Sequence, residues 1–505
     1  MLKVAVTGAS GYMGAELLRL LSVHPKVRIS AVTSERRAGE RLDRLYPHLR
    51  GLSDLVFQEI DGDRLAGESD VVFLALPHME SQRLMPTLRR HGKKAVDLAA
   101  DYRLRDPSLY TTWYKAPHED ASGLAEAVYG LPELHRKQVA GASLVASPGC
   151  YPMGAILATA PLLKSGRGSV DGIVIDGKSG VTGAGAQGRK ADAMYLFTEA
   201  NENVQAYGMA THRHTPEIEQ ELSALAGRPV VVAFTPHLVP LNRGLFTTAS
   251  VPLTKPATTA ELVALYQEFY AGEPFVRVLE EGQRPTTRSV VGSNFCDVTV
   301  VASPGCYPVG TILATAPLIK NGLARLDGIV VDGKSGVSGA GAQGRKPDPM
   351  YLYTEANENV QAYGLGFHRH TAEMEQELSL LAGEAVRVSF TPHLVPLNRG
   401  LFTTASVPLA TRLGTADLVQ VYREFYAGEP FVRVLDEGQR PVTRAVVGSN
   451  YCDLTVVADT RTSRAVCVSA IDNLGKGGSA NGIQNLNVVF GWNERTGLEA
   501  PPVYP

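Results

Sequence analysis

Two cysteines, Cys150 and Cys306, each stand in the turn sequence SPGCYP directly ahead of an apolar run with helical spacing. A thiol at a helix N-terminus feels the positive end of the helix dipole, which stabilises the thiolate and makes a nucleophile available near neutral pH. The competing reading is a buried structural cysteine. That reading suits Cys296, Cys452 and Cys467, which lie in strand-like runs, better than a cysteine in a Pro-Gly turn. A nucleophile of this kind needs a proton carrier, and the two HRHT sequences supply candidates in His212 with His214 and His368 with His370. If the segment is extended, alternate residues share a face and both imidazoles line one wall. A helix is expected to follow, with Thr215 as N-cap, Pro216 as first residue and Glu217 in the first turn. No third ligand stands at a convincing spacing, so no metal is expected.

Near the N-terminus, Gly8, Gly11 and Gly14 in TGASGYMG fall between a strand and a helix, where missing side chains let a phosphate approach the backbone N–H groups. The spacing is GxxGxxG, which an ordinary tight turn also satisfies. About 20 residues on, where a carboxylate commonly meets the ribose of NAD, stands Ser34, followed by Glu35, Arg36 and Arg37. A hydroxyl with two arginines suits a 2′-phosphate and so NADP, while Glu35 leaves NAD as the alternative and a solvated charged loop as the third reading. Three polar loops recur as well. The backbone of Lys178, Ser179 and Gly180 in GKSGVTGAG offers an anion cradle, the two PHLVPLNRG loops carry Arg243 and Arg399, and TEANENVQAYG adds Asn203. Each is equally open to turn chemistry.

The elements that must position these groups come from a chain of 505 residues, 44% hydrophobic and 20% charged, which is enough for roughly three domains. From residue 147 the sequence repeats itself at an offset of about 156 residues, with roughly three-quarters of the paired positions identical and no Gly, Ser or Pro linker between the copies. The part before the repeat alternates strands (KVAVTG, RISAVTSE, VVFLAL, KAVDLAA) with helices (GAELLRLLSVH, MESQRLMPTLRRHG), the pattern of a parallel sheet covered on both faces. Each repeat instead reads as a mostly antiparallel sheet with helices at SPGCYP and beyond, TPEIEQELSALA and TTAELVALYQEFYAG. The fold class expected is α/β, a Rossmann-type doubly wound domain followed by two tandem α+β domains. With 49 basic and 51 acidic residues, no nucleic acid or anionic membrane is an expected partner. With no apolar run of ~18 residues, no secretory signal and no CxxC pair, a cytoplasmic protein with free thiols is expected.

Taken together, GASGYMGAELLRLL, ALPH at 75–78, DLAADYRL at 97–104, YGLPEL, SPGCYP, DGKSGVTGAG, NENVQAYG, HRHTPEIEQEL, PHLVPLNRG and DNLGKGGSANGIQNLN resemble the N-acetyl-γ-glutamyl-phosphate reductase family, relatives of aspartate-semialdehyde dehydrogenase. The resemblance spans essentially the whole chain, with the middle domain counted twice. It implies that a cysteine thiolate displaces phosphate from an acyl phosphate to give a thioester, which NADPH reduces to N-acetylglutamate semialdehyde, a step of arginine biosynthesis. It makes Cys150 and Cys306 the matching nucleophiles and His212 and His368 the matching acid/base residues. It places His214, His370, Arg243 and Arg399 at the substrate, and Gly8, Ser10, Gly11, Gly14, Ser34, Arg36, Arg37, Pro77, Ser179, Gly180 and Asn481 at the cofactor. In the family GGSANGIQNLN returns to the nucleotide domain as a helix, bringing Asn481 and Gln484 near the nicotinamide. The domains implied are 1–145 with 459–505 for NADP, 146–301 for the first substrate domain and 302–458 for the second. The family has one substrate domain per nucleotide domain. Family sheets of this kind form the subunit interface, so a homo-oligomer or an intrachain pseudo-dimer of the two copies is expected. The alternatives are a reductase of carrier-linked aminoadipyl or glutamyl phosphate and a non-catalytic NADP-binding assembly protein. Both copies keep the cysteine, the histidine pair, the Lys-Ser-Gly loop and the arginine, which favours the enzyme.

NADPH is expected to be used in preference to NADH. Replacing Arg36 and Arg37 together by Ala removes two charge-assisted contacts and is expected to lower kcat/KM for NADPH about 10²-fold, with NADH little affected. Equal use of both cofactors by the unmodified protein contradicts the assignment.

Overall fold

A computed structural model describes residues 1–50, 54–189, 193–255, 257–280, 283, 285–299, 307–338, 356–364, 368, 370–473, 476, 480, 483–484, 487, 493–499 and 502. The chain forms two compact units, Met1–Met153 with Thr182–Lys190, and Gly154–Val181 with Ala191–Pro505.

The first unit is built on β1 (Leu2–Thr7), β2 (Val27–Thr33), β3 (Phe57–Gln58), β4 (Val71–Leu74), β5 (Lys94–Asp97), β6 (Val128–Tyr129) and β7 (Leu144–Ala146). These form one sheet in the order β3-β2-β1-β4-β5-β7-β6, parallel at every pairing. Side chains alternate across it. Val4 and Val6 of β1 enter a core with Leu18 and Leu42, whereas Ala5 enters a second core with Leu65, Met85 and Leu88. Both faces are thus buried, which is why the strands read as continuous apolar runs. Helix Tyr12–Leu21 follows β1, helix Ser81–Arg90 follows β4 and helix Cys150–Lys164 begins after β7.

The second unit holds both copies of the repeat. The first copy gives β8 (Ile173–Ser179), β9 (Gln205–Ala206), β10 (Val232–Leu238) and β11 (Leu245–Ser250), in the order β11-β8-β10-β9, together with a separate pair, β12 (Val276–Val278) and β13 (Cys296–Val298). The second copy gives β14 (Ile329–Ser335), β15 (Gln361–Ala362), β16 (Val388–Leu394), β17 (Leu401–Pro408), β18 (Val432–Val434), β19 (Cys452–Asp459) and β20 (Arg464–Ile471), in one sheet ordered β15-β16-β14-β17-β20-β19-β18. These sheets are mostly antiparallel, in two of three pairings in the first and four of six in the second, with parallel pairs among them. β8 runs parallel to β10 and β14 to β16, because helices Thr215–Ala226 and His370–Ala382 carry the chain back to the same end of the sheet before it re-enters. Residues 459–473, expected to leave for the nucleotide domain, stay here, with Arg464–Ile471 paired between β17 and β19.

The two copies face one another through reciprocal contacts. Lys178 Nζ lies 2.9 Å from Asp332 Oδ2, and Lys334 Nζ lies 3.1 Å from Asp176 Oδ2. His237 Nε2 meets Thr404 Oγ1 at 2.8 Å, and His393 Nε2 meets Thr248 Oγ1 at 3.0 Å. Further out, the Asn242 amide donates to Glu358 and the Asn398 amide to Glu202. Each contact recurs with its partners exchanged, the signature of a pseudo-two-fold axis. Around it Val204, Val239 and Phe246 share one apolar core with Val360, Val395 and Phe402.

Both lysines are fully buried and each touches an aspartate of either copy. Lys178→Met leaves Asp332 short of a counter-charge inside the core and is expected to cost about 3–5 kcal/mol in chemical denaturation. Lys334→Met should cost the same within error, and a clear inequality contradicts the pseudo-symmetry.

Candidate active site

In the first unit the glycine turn is a cradle with no spare room. A methyl group on Gly8, whose φ is +61°, would fall 2.2 Å from the Ala75 carbonyl oxygen, and one on Gly14 would fall 2.6 Å from Ala9 Cα. Gly11 is the N-cap of helix Tyr12–Leu21 and brings no capping side chain, so the turn offers a helix N-terminus of the kind that holds an anion. Ser10 Oγ and Ser34 Oγ are 2.8 Å apart, joining the turn after β1 to the end of β2. Arg36 and Arg37 are exposed beyond Ser34, with Arg37 reaching Glu40 at 3.0 Å, and Pro77 is exposed after β4. These residues fit a dinucleotide phosphate.

Cys150 lies at the C-terminal end of the same sheet. β7 ends at Ala146, and the exposed thiol is the first residue of helix Cys150–Lys164, whose opening turn is closed by Met153 N–H donating to Gly149 O at 3.0 Å. Since β1 and β7 are three strand spacings apart, the glycine turn and the cysteine are separated by roughly 14 Å along that edge, a span a nucleotide can bridge.

Sequence reasoning passed over two carboxylates here. Asp101 accepts the backbone N–H of Met79 at 2.7 Å and of Gln82 at 3.1 Å, and so holds the turn that carries Pro77 and His78, with Met79 at φ +71°. Asp97 accepts from Ser81 Oγ at 2.7 Å and Ala99 N–H at 3.1 Å. Burial, reinforced by the Asp101 charge, pushes Asp97 up to about 7. The signal available was DLAAD itself, two acids in a stretch otherwise apolar enough to be buried.

In the second unit His212 and His214 come together, their ring centroids 4.9 Å apart. The segment is a turn and not extended. His214 has φ −80° and ψ −12° and is the N-cap of the following helix, which moves Thr215 and Pro216 into its first turn. His214 N–H donates to His212 Nδ1 at 3.2 Å, and the His212 ring lies edge-on to Tyr207 and Phe234. Burial, with the Arg213 charge, lowers His212 to about 3, so it is neutral at pH 7. Ser179 ends β8 and Gly180 follows it, Gly180 N–H donates to Gly244 O at 2.9 Å, and exposed Arg243 is the neighbour of that glycine. His368 and His370 repeat the pair at 5.1 Å. Arg399 is held by buried Asp472 at 2.5 Å, a residue with no counterpart in the first copy.

Other residues singled out in the sequence make contacts within the second unit. The Lys178 side chain points into the core between the copies, because the alternation along β8 puts it on the face that meets Asp332. Asn203 accepts from Thr443 Oγ1 at 3.2 Å and donates to Glu199 O, a contact between copies. Gln484 is engaged by Asn450 and Lys476 within the second unit. Cys306 and Asn481 lie outside the described residues.

The chain matches the family model for a semialdehyde dehydrogenase NAD binding domain over residues 3–142 and the model for a semialdehyde dehydrogenase dimerisation domain twice, over 150–305 and 306–473. It is 50% identical over 321 residues to the N-acetyl-gamma-glutamyl-phosphate reductase of Pelobacter propionicus, covering 63% of this chain and 92% of that protein. The chain belongs to the N-acetyl-gamma-glutamyl-phosphate reductase family. The reductases of Geobacter sulfurreducens (50% over 321 residues, 63% and 92% covered) and Moorella thermoacetica (50% over 300 residues, 59% and 86% covered) are similar to it to the same degree. Membership makes this reductase-family chain an oxidoreductase of amino-acid biosynthesis with an NAD(P)-binding Rossmann domain and a duplicated second domain. A solved aspartate semialdehyde dehydrogenase with NADP, from Candida albicans, superposes over 57% of this chain and 85% of that one at 19% identity with a TM-score of 0.42, too loosely to bear on function. Among the described residues no helix is long and apolar enough to cross a membrane.

Because the folded-state value of Asp97 lies above its ordinary carboxylate range, the native state holds a proton that the unfolded chain releases, and stability falls as pH rises from about 4 to about 7. Asp97→Asn keeps the acceptor that Ser81 and Ala99 use while removing the buried charge. Thermal unfolding across that window should show a shallower decline in the variant, and parallel profiles contradict the reading.

Proposed function

We propose that the chain catalyses NADPH-dependent reductive dephosphorylation of N-acetyl-γ-glutamyl phosphate to N-acetylglutamate 5-semialdehyde, with Cys150 as nucleophile. The observation that carries this is the exposed Cys150 thiol at a helix N-terminus, at the same edge of one parallel sheet as the glycine cradle. The Cys150 sulfur attacks the acyl carbon, the tetrahedral oxyanion collapses and inorganic phosphate leaves, giving a thioester. A nicotinamide cofactor, when bound, would supply hydride to that carbonyl, and the resulting oxyanion would expel the Cys150 thiolate and free the aldehyde. His212 carries the proton, and its neutral state at pH 7 lets it accept one from the thiol and return it to the thiolate once the aldehyde has been freed. His214 and Arg243 bind the substrate's free carboxylate, and Ser34, Arg36 and Arg37 the 2′-phosphate of the cofactor.

One complete site forms per chain, around Cys150. Strand β7 makes its helix start from the nucleotide sheet, whereas Cys306 follows the end of the first substrate domain and has no second Rossmann domain before it. The domain limits that go with this reading are 1–145 for the nucleotide, 146–301 for the first substrate domain and a second one that runs on to about residue 473.

Cys150→Ser is expected to lower turnover on the order of 10³-fold or more, while Cys306→Ser stays near the unmodified rate, in single-variant assays of phosphate-dependent semialdehyde oxidation. Loss confined to Cys306→Ser reverses the assignment, and half activity in each variant means two sites.

A further inference from the structure

The repeat unit omits one strand. In the second copy β20 lies between β17 and β19, pairing Leu401 with Ile471 through Pro408 with Arg464 on one side, and Cys452 with Ile471 through Asp459 with Arg464 on the other. The first copy runs from β13 straight into residue 302 of the next repeat and has no such segment. Yet one wall of the corresponding space is present in full in β11, and β13 supplies the described part of the other. The edge sequence LFTTASVPL is identical at 245–253 and 401–409. β12 pairs with β13 as β18 does with β19, in the same register. The helix before β12 is anchored by Tyr266 and Tyr270 hydroxyls on Ala158 O and Leu157 O, both at 2.6 Å, just as Tyr422 and Tyr426 anchor on Ala314 O and Leu313 O. Among the described residues nothing pairs with the outer edge of β11, and β12 with β13 stands as a separate two-stranded sheet.

The exposure differs accordingly. β17 is buried throughout, whereas in β11 only Phe246 is. Phe275 beside β12 is 42% exposed, and its counterpart Phe431 is 1% exposed. Cys296 is half-buried where Cys452 is buried.

We propose that the space between β11 and β13 is an acceptor slot for one extended polypeptide segment with the chemistry of Arg464–Ile471, supplied by another molecule. The receiving groups define that chemistry. In the occupied slot Arg464 donates to Ser406 and to Gly328 O, and Ser469 Oγ donates to Gly310 O. The first copy presents Ser250, Gly172 and Gly154 at the matching positions. The occupant is therefore a strand with a leading arginine, small or β-branched residues facing the helices and a serine near its end, added antiparallel to both edges by β-augmentation. The chain's own β20 cannot serve, since moving it would empty the second copy.

The probe is a peptide of residues 459–473. In fluorescence anisotropy with the full chain, a labelled form carrying Cys467→Ser should bind saturably and be displaced by excess unlabelled peptide. A form with Val466→Pro and Val468→Pro, which cannot join the ladders, should bind at least about 10-fold more weakly. Register is read by disulfide formation. Ala405 pairs with Cys467 in the occupied slot, so the unaltered peptide should crosslink to an Ala249→Cys variant, with at least about 10-fold lower yield on Ser250→Cys or Ala405→Cys, located by mass mapping. Absence of binding, or equal yields at these positions, overturns the proposal, as does capture at Ala405→Cys, which means exchange into the filled slot. Dimers of the chain alone in which an Ala249→Cys thiol is shielded from reagent overturn it too, because a second copy then closes the edge.

Discussion

Two lysines and two aspartates buried together can coexist only if their charges alternate in space, and that requirement sets how the two copies meet. Lys178 and Lys334 each lie between the aspartate of their own strand and the aspartate of the other copy. A slip of either sheet by one residue would turn its aspartate and lysine together to the opposite face and leave the other copy's pair without its reciprocal partners in a core that excludes water. His237 and His393 sit against this group, and burial with the nearby lysines pushes both down, so they add hydrogen bonds to Thr404 and Thr248 without adding charge. The arrangement explains why DGKS is kept in both copies for a reason other than binding. Its lysine is structural, while Ser179 and Gly180, one and two residues on, lie at the strand end.

The nucleotide unit follows a different constraint. Because every strand of its sheet is parallel, every strand ends at the same edge, and whatever follows β1, β2, β4, β5 and β7 is collected there. That places the glycine turn, Ser34, Pro77, Asp101 and Cys150 along one line although they are scattered over some 140 residues of sequence. The buried acids Asp97 and Asp101 act on that line from beneath, tying the turn after β4 to the end of β5.

Duplication made two copies that are nearly the same in sequence but unequal in structure. The copied segment stops before β20, so the second copy closes a seven-stranded sheet and the first leaves four strands and a detached pair. The same boundary separates Arg243, exposed, from Arg399, clamped by Asp472. Identical residues thus stand in different electrostatic surroundings because of what the chain does about seventy residues later.

Local chemistry was legible directly. Glycine spacing, apolar periodicity and the SPGC turn are properties of a few neighbouring residues, and the parallel sheet, the helix that begins at Cys150 and the repeat itself were all readable from them. The crossover that makes β8 parallel to β10 was also within reach, since a helix stands between them in sequence. What the sequence could not decide depends on alternation and on partners distant in the chain. The HRHT segment is a turn because its hydrogen bonds close locally on His212, and a period-two reading of His-Arg-His cannot tell a strand from a turn. Lys178 faces Asp332 because of the register of two sheets 156 residues apart in sequence, and its burial is visible only once those sheets are packed. The sequence by itself determined the family, the elements and the candidate nucleophile, because these rest on short-range spacing. Tertiary structure alone decided which polar residues serve the core, since that is set by the face a side chain presents and by the charge that waits opposite.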